Sequence, residues 1–160
     1  MSMDLEEQYD KIYRYCYFKI HHRERAEDIT QETFLRFFKN HSGMGSEEAM
    51  RFLYTVAHNL CIDEYRKRQN KPFDEETELL ESSDPLEGIL TRVSVQTALN
   101  KLDDSDRELL LLRYINGVPV SVIAKLRGIS RFSVHRKIAN AMKKFRKYLG
   151  EEGIRESYDG

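Results

Sequence analysis

The stretch VPVSVIAKLRGISRFSVHRKIANAMKK, residues 118–144, decides the fold. It reads as two helices joined by a tight turn. A short helix around Val120–Leu126 carries a small residue, Ala124, where two helices must approach closely. Gly128 stands at the turn, where a positive φ is cheap for glycine. Ile129 can plug the space between the helices, and Ser130 suits the N-cap of a longer helix running to about Leu149. Val134 and Ile138 supply that helix's inward face. Its outward side offers Arg131, Ser133, His135, Arg136, Lys137, Asn140 and Lys144, donors able to reach base edges and phosphates in a DNA major groove. A plain helical hairpin has the same apolar pattern, but it would interleave acids for helix-supporting pairs.

Charge supports the same reading. From Val118 to Leu149 there are nine Lys or Arg and no Asp or Glu. The whole chain, 160 residues with a formal net charge of −1, hides this segregation. A local positive field of this kind points to a polyanion such as nucleic acid. The opposite bias lies upstream, where Pro72–Leu90 holds seven acids and no base. Residues 71–85 read as an acidic, flexible linker, with Pro72 and Pro85 near its ends and no sustained period.

Two helical blocks flank that linker. In the first, residues 1–70, three helices are expected. Leu5, Tyr9, Ile12, Cys16 and Ile20 recur at helical spacing, and His21-His22-Arg23 breaks the pattern. Ala26, Ile29, Thr33, Phe34, Phe37 and Phe38 repeat it over residues 24–40. Asn40-His41-Ser42-Gly43-Met44-Gly45-Ser46 reads as a loop, with Ser46 as the cap of a third helix. That helix carries Phe52, Leu53, Val56, Ala57 and Leu60 and ends in Arg66-Lys67-Arg68, where cations suit the dipole. The second block, residues 86–150, opens with Leu86, Ile89, Leu90 and Val93. Ser105-Asp106-Arg107-Glu108 reads as a capping box ahead of Leu109–Leu112, and Asn116-Gly117 as a stop. Residues 151–160 read as a tail. The expected fold is all-α: two small helical domains joined by an acidic linker, the C-terminal one a helix-turn-helix.

Three of these segments together resemble the extracytoplasmic-function (ECF) sigma factors of bacterial RNA polymerase, in the sigma-70 family. Glu27-Asp28-Ile29-Thr30-Gln31-Glu32-Thr33-Phe34-Leu35 looks like the family's "ED-x-x-QE-x-F" segment. Phe52-Leu53-Tyr54, Ala57, Asn59, Asp63 and Arg66 resemble its "LY-x-IA-x-N-x-x-x-D-x-x-R" helix. Leu109–Tyr114, Ile123-Ala124, Gly128-Ile129-Ser130 and Val134 resemble its C-terminal helix-turn-helix. The order matches and about 140 residues are covered. The resemblance implies that Asp28, Gln31, Glu32 and Arg36 dock on core RNA polymerase. It implies that Asn59 and Asp63, with Arg66, Lys67 and Arg68 on phosphates and the loop residues Asn40, His41 and Ser42, hold the melted minus-ten strand. It further implies that the outward donors of the last helix read the minus-thirty-five duplex. An anti-sigma factor is the expected inhibitor. Phe52 stands where the family often has Trp. Pro119 replaces a Ser or Thr cap, Val122 is expected exposed, and His135 and Arg136 replace a commoner Lys and Ser.

Other classes are expected to be absent. No apolar run approaches the roughly 20 residues of a membrane span. The acidic start MSMDLEEQYD is not a secretory signal or transit peptide. Cys16 and Cys61 do not make a disulfide scaffold, so reduced thiols and a cytoplasmic location are expected. His58-x-x-Cys61 offers two ligands where zinc needs three or four, so no metal or cofactor is expected. Cys61 reads as a small core residue. There is no phosphate loop or nucleophile motif, and the chain is expected not to be an enzyme. The competing reading is a stand-alone helix-turn-helix regulator that binds duplex DNA as a dimer, its first block serving for dimerisation.

Overall fold

The computed structural model describes residues 3–40, 43–69 and 86–157, all of whose regular elements are helices. The expected linker 71–85 and the loop residues His41 and Ser42 lie outside the described residues. By backbone proximity the chain forms two compact units: Met1–Leu79 with Ser121–Gly128, and Leu80–Val120 with Ile129–Gly160.

In the first unit α1 (Leu5–Ile20) opens at Asp4, whose carboxylate accepts from the Glu7 N–H at 3.1 Å. Glu6 and Glu7 in its first turn and Lys19 in its last suit the helix dipole. It closes at His21 in the left-handed region, φ 52°. The next side chain, His22, starts α2 (Arg23–Asn40) by accepting the Arg25 N–H on Nδ1 at 3.2 Å. Helix α3 (Ser46–Gln69) begins one residue earlier than expected: Gly45 takes the cap position, its carbonyl accepting from Ala49 at 2.9 Å.

The three helices meet on Ile12, Cys16, Ala26, Leu53 and Ala57, all fully buried, with Cys61 beside them. Each large apolar side chain buried here stabilises by about 2 kcal/mol, several times what an exposed ion pair gives. Tyr15 and Tyr54 pack edge to face at 5.4 Å, and Phe37 meets Phe52 at 6.2 Å, tying α3 to α1 and α2. Phe52 thus serves in packing without tryptophan. The buried hydroxyls of Thr30 and Thr33 donate back to the Ala26 and Ile29 carbonyls at 2.7 Å, so neither is left unpaired in the core.

The second unit is built from α4 (Leu86–Lys101), α5 (Asp104–Leu110), the π turn Leu111–Ile115 and α7 (Arg131–Ser157), with α4 and α5 packing on α7. Asp103, not Ser105, caps α5: its carboxylate accepts from Asp106 N–H at 2.8 Å. Arg107 closes the preceding helix end, donating to the Leu99 and Leu102 carbonyls at 3.0 and 2.8 Å. Leu109, Leu110, Leu111 and Leu112 are all buried. Four consecutive residues sweep about 300° of a helix, so this segment is enclosed on nearly every side. The expected stop at Asn116-Gly117 is present, reached through the π turn, with Asn116 N–H on the Leu111 carbonyl at 2.9 Å.

Helix α6 (Val120–Arg127) follows Pro119, whose missing N–H costs nothing ahead of a first turn. Gly128 then takes φ +66°, and Ser130 accepts the Ser133 N–H on Oγ at 3.1 Å to cap α7. The turn chemistry is therefore the one expected. The helix it opens is longer: α7 passes Leu149 and ends at Ser157. Gly150 stays out of the left-handed region. A glycine in helical φ weakens a helix by about 1 kcal/mol without ending it, and no proline follows.

Candidate functional site

Three surfaces carry the candidate residues. The first is the outer face of α2. Asp28, Gln31 and Arg36 are exposed and Glu32 half-buried. Arg36 Nε holds Glu32 Oε1 at 3.0 Å, and Gln31 Nε2 donates to Glu27 Oε1 at 3.2 Å. The same Glu27 oxygen accepts from Tyr9 Oη at 2.5 Å, tying α1 to α2. Burial, and then the hydrogen bond to Glu27, push the Tyr9 phenol up to about 12.

This face is not purely polar. Leu35 and Phe38 are 56% and 51% exposed. With Leu5, Tyr9 and Phe34 they line a shallow apolar groove of about 400 Å³, bordered by Gln31. The sequence reading put Phe38 in the core. At about 100° per residue, Phe34 and Phe37 take the inward side and Phe38 turns out past them. Leu35 lies one turn on from Gln31 and Glu32, a position that helical geometry alone makes part of the polar face.

The second surface is the outer side of α3. Asn59, Asp63, Arg66 and Lys67 are all exposed. Asn59, Asp63 and Arg66 stack at successive turns, diametrically opposite the buried Ala57 and Cys61. Arg68 does not join them. Its Nη1 donates to the Ile20 carbonyl at the end of α1 at 3.2 Å, and its Nε faces Glu64 at 3.6 Å. Glu64 also meets Arg25 of α2 at 3.2 Å, so Arg68 belongs to a clip joining three helices rather than to the phosphate-facing set. Asn40 ends α2 with its amide on the Arg36 carbonyl at 2.8 Å. Its expected neighbours His41 and Ser42 are outside the described residues.

The third surface is α7. Arg131, His135, Arg136, Lys137, Asn140 and Lys144 are exposed, and Val134, Ile138 and Ala141 are buried on the opposite side. Ser133 is half-buried in the cap turn, its hydroxyl accepting from Ser130 Oγ at 3.1 Å. Lys144 Nζ sits 3.1 Å from Asp106 Oδ2, and this hydrogen bond raises the ammonium pKa. Two residues depart from expectation. Val122 is fully buried, sharing the core side of a short, β-branched helix with Ile123. Phe132, unassigned in the sequence reading, is 75% exposed on the donor face, with the Arg136 guanidinium 5.8 Å from its ring centre.

No group of described residues gathers the three or more ligands a metal needs. No described helix is long and apolar enough to cross a membrane.

Residues 5–71 match the family model of sigma-70 region 2, and residues 92–145 that of sigma-70, region 4. The chain is 30% identical over 156 residues to the ECF RNA polymerase sigma factor SigW of Bacillus subtilis, covering 88% of this chain and 83% of that one. The chain belongs to the ECF sigma factors. RNA polymerase sigma factor YlaC of the same organism is 29% identical over 150 residues, with 88% of this chain and 87% of that one covered. BldN of Streptomyces coelicolor is 29% identical over 135 residues, 78% of this chain, which spans about half (51%) of BldN. Among solved structures, the sigma factor RpoE of Bartonella quintana, crystallised with the anti-sigma factor NepR, superposes with a TM-score of 0.65 at 18% identity, covering 89% of this chain and 91% of that one. It has the same all-helical fold. As an ECF sigma factor the chain places the α2 and α3 surfaces within region 2 and most of the basic face of α7 within region 4.

Proposed function

We propose that this ECF sigma factor binds core RNA polymerase and directs promoter-specific initiation, with α3 on the melted minus-ten strand and α7 on the minus-thirty-five duplex. One observation carries the reading: a solvent face of Asn59, Asp63, Arg66 and Lys67 in region 2 and, in region 4, a basic helix whose own residues up to Leu149 include no acid occur on one chain. An amide and a carboxylate one turn apart can read base edges, and the cations beyond them can hold phosphates. Asp28, Gln31, Glu32 and Arg36, with Leu35 and Phe38 among them, form the docking face for the polymerase. The apolar pair supplies area and the polar residues supply register.

The chain breaks no bond in this scheme; chemistry belongs to the polymerase, and no cofactor takes part. It acts in the cytoplasm, where its DNA is. An anti-sigma factor restrains it. RpoE's solved complex with NepR is one instance of such a pairing.

The test is transcription with purified core polymerase, this chain and fragments of its source genome. Chain-dependent initiation, lost at least tenfold on Asn59→Ala, supports the reading. Tight duplex binding by the chain alone, with no association with core, would replace it with the dimeric regulator.

A further inference from the structure

The most exposed large apolar side chain among the described residues lies on the basic face itself: Phe132, at the second position of α7. Exposed aromatic rings are poorly solvated, and this one leaves three quarters of its surface to water. Val134, Ile138 and Ala141, which anchor α7, are on the other side of the helix. Its surroundings are Arg131, His135 and Arg136, all exposed, with no acid between Val118 and Leu149. Arg136 lies one turn on, and its guanidinium sits over the ring, 5.8 Å from its centre, in a cation–π contact.

Polarity selects the occupant. A ring set among cations is a poor seat for an apolar protein surface and a good one for a group that is apolar within an anionic partner. In a DNA major groove only one such group exists, the 5-methyl of thymine. Recognition helices present their N-terminal residues to base edges, and Phe132 is in the first turn. We propose that Phe132 reads a thymine methyl in the minus-thirty-five duplex, with Arg136 stacked on the ring and directed to a neighbouring phosphate or guanine. This assignment rests on the reading of α7 as the duplex-reading helix.

Replacing thymine by 2′-deoxyuridine removes the methyl and keeps the pairing. The probe is a promoter fragment from which polymerase carrying the full chain initiates, each thymine of the duplex element being replaced in turn. One replacement lowers open-complex formation by the wild-type chain about fourfold, the worth of one buried methyl. Phe132→Ala abolishes that difference, and Phe132→Leu keeps part of it. Indifference of the wild type to every replacement, or an equal penalty with Phe132→Ala, overturns the assignment and leaves α7 as the reading helix. Absence of any chain-dependent initiation removes the reading of α7 and the assignment with it.

Discussion

Tyr9 joins two helices through one oxygen of Glu27, and burial together with that hydrogen bond raises its pKa. The phenol titrates at about 12 in the folded chain against an ordinary 10.0. A raised folded pKa means the neutral phenol is favoured by folding. Its contribution is complete below pH 10 and is lost as pH rises toward 12. Urea unfolding should therefore show the wild type losing more stability than Tyr9→Phe between those values. At neutral pH the same substitution costs about 1 kcal/mol. Cys16 is the buried counterpart. Its hydrogen bond with Cys61, and burial, push its thiol upward, so the nucleophilic thiolate is suppressed. That agrees with reading the cysteine pair as core. The partners of Arg68 were not legible from sequence, because a cation in a basic tail looks alike whether it faces phosphate or an Ile20 carbonyl 48 residues away.

At the scale of elements, ends are set by side chains that act locally. The sequence reading set the cap of α5 at Ser105, and the backbone uses Asp103. Asp103→Ala should cost about 1 kcal/mol by loss of the bond to Asp106 N–H, and Ser105→Ala should cost clearly less. Paired denaturation midpoints decide it. The cap at Ser130 and the left-handed Gly128 were legible, because few residues serve those positions. The extension of α7 to Ser157 was not. A glycine such as Gly150 ends a helix only where the chain turns left-handed, and this one does not.

At the scale of the molecule, exposure separates what folds the chain from what it offers to partners. Leu35 contributes little to the core at 56% exposure and lies amid the polar residues of α2. Leu35→Ala should leave thermal unfolding within about 0.5 kcal/mol of wild type. It should weaken association with core polymerase about tenfold, as loss of an interface anchor does. Equilibrium binding of labelled chain to core measures this, and unchanged affinity would remove Leu35 from the docking face.

The sequence by itself determined the helical class, the turn of Gly128 and Ser130, the segregation of charge and the three family segments. Each of these is local, being a matter of spacing along one helix, one φ or one run of residues. The tertiary structure decided which side of each helix meets solvent. Phe38 and Phe132 turned outward, Val122 turned inward, Arg68 was drawn into the clip with Glu64, and Lys144 was paired with Asp106. The reason is that an apolar residue at the edge of a helical stripe, or a cation beside several partners, satisfies local rules in more than one way. Packing against a neighbouring helix selects among them.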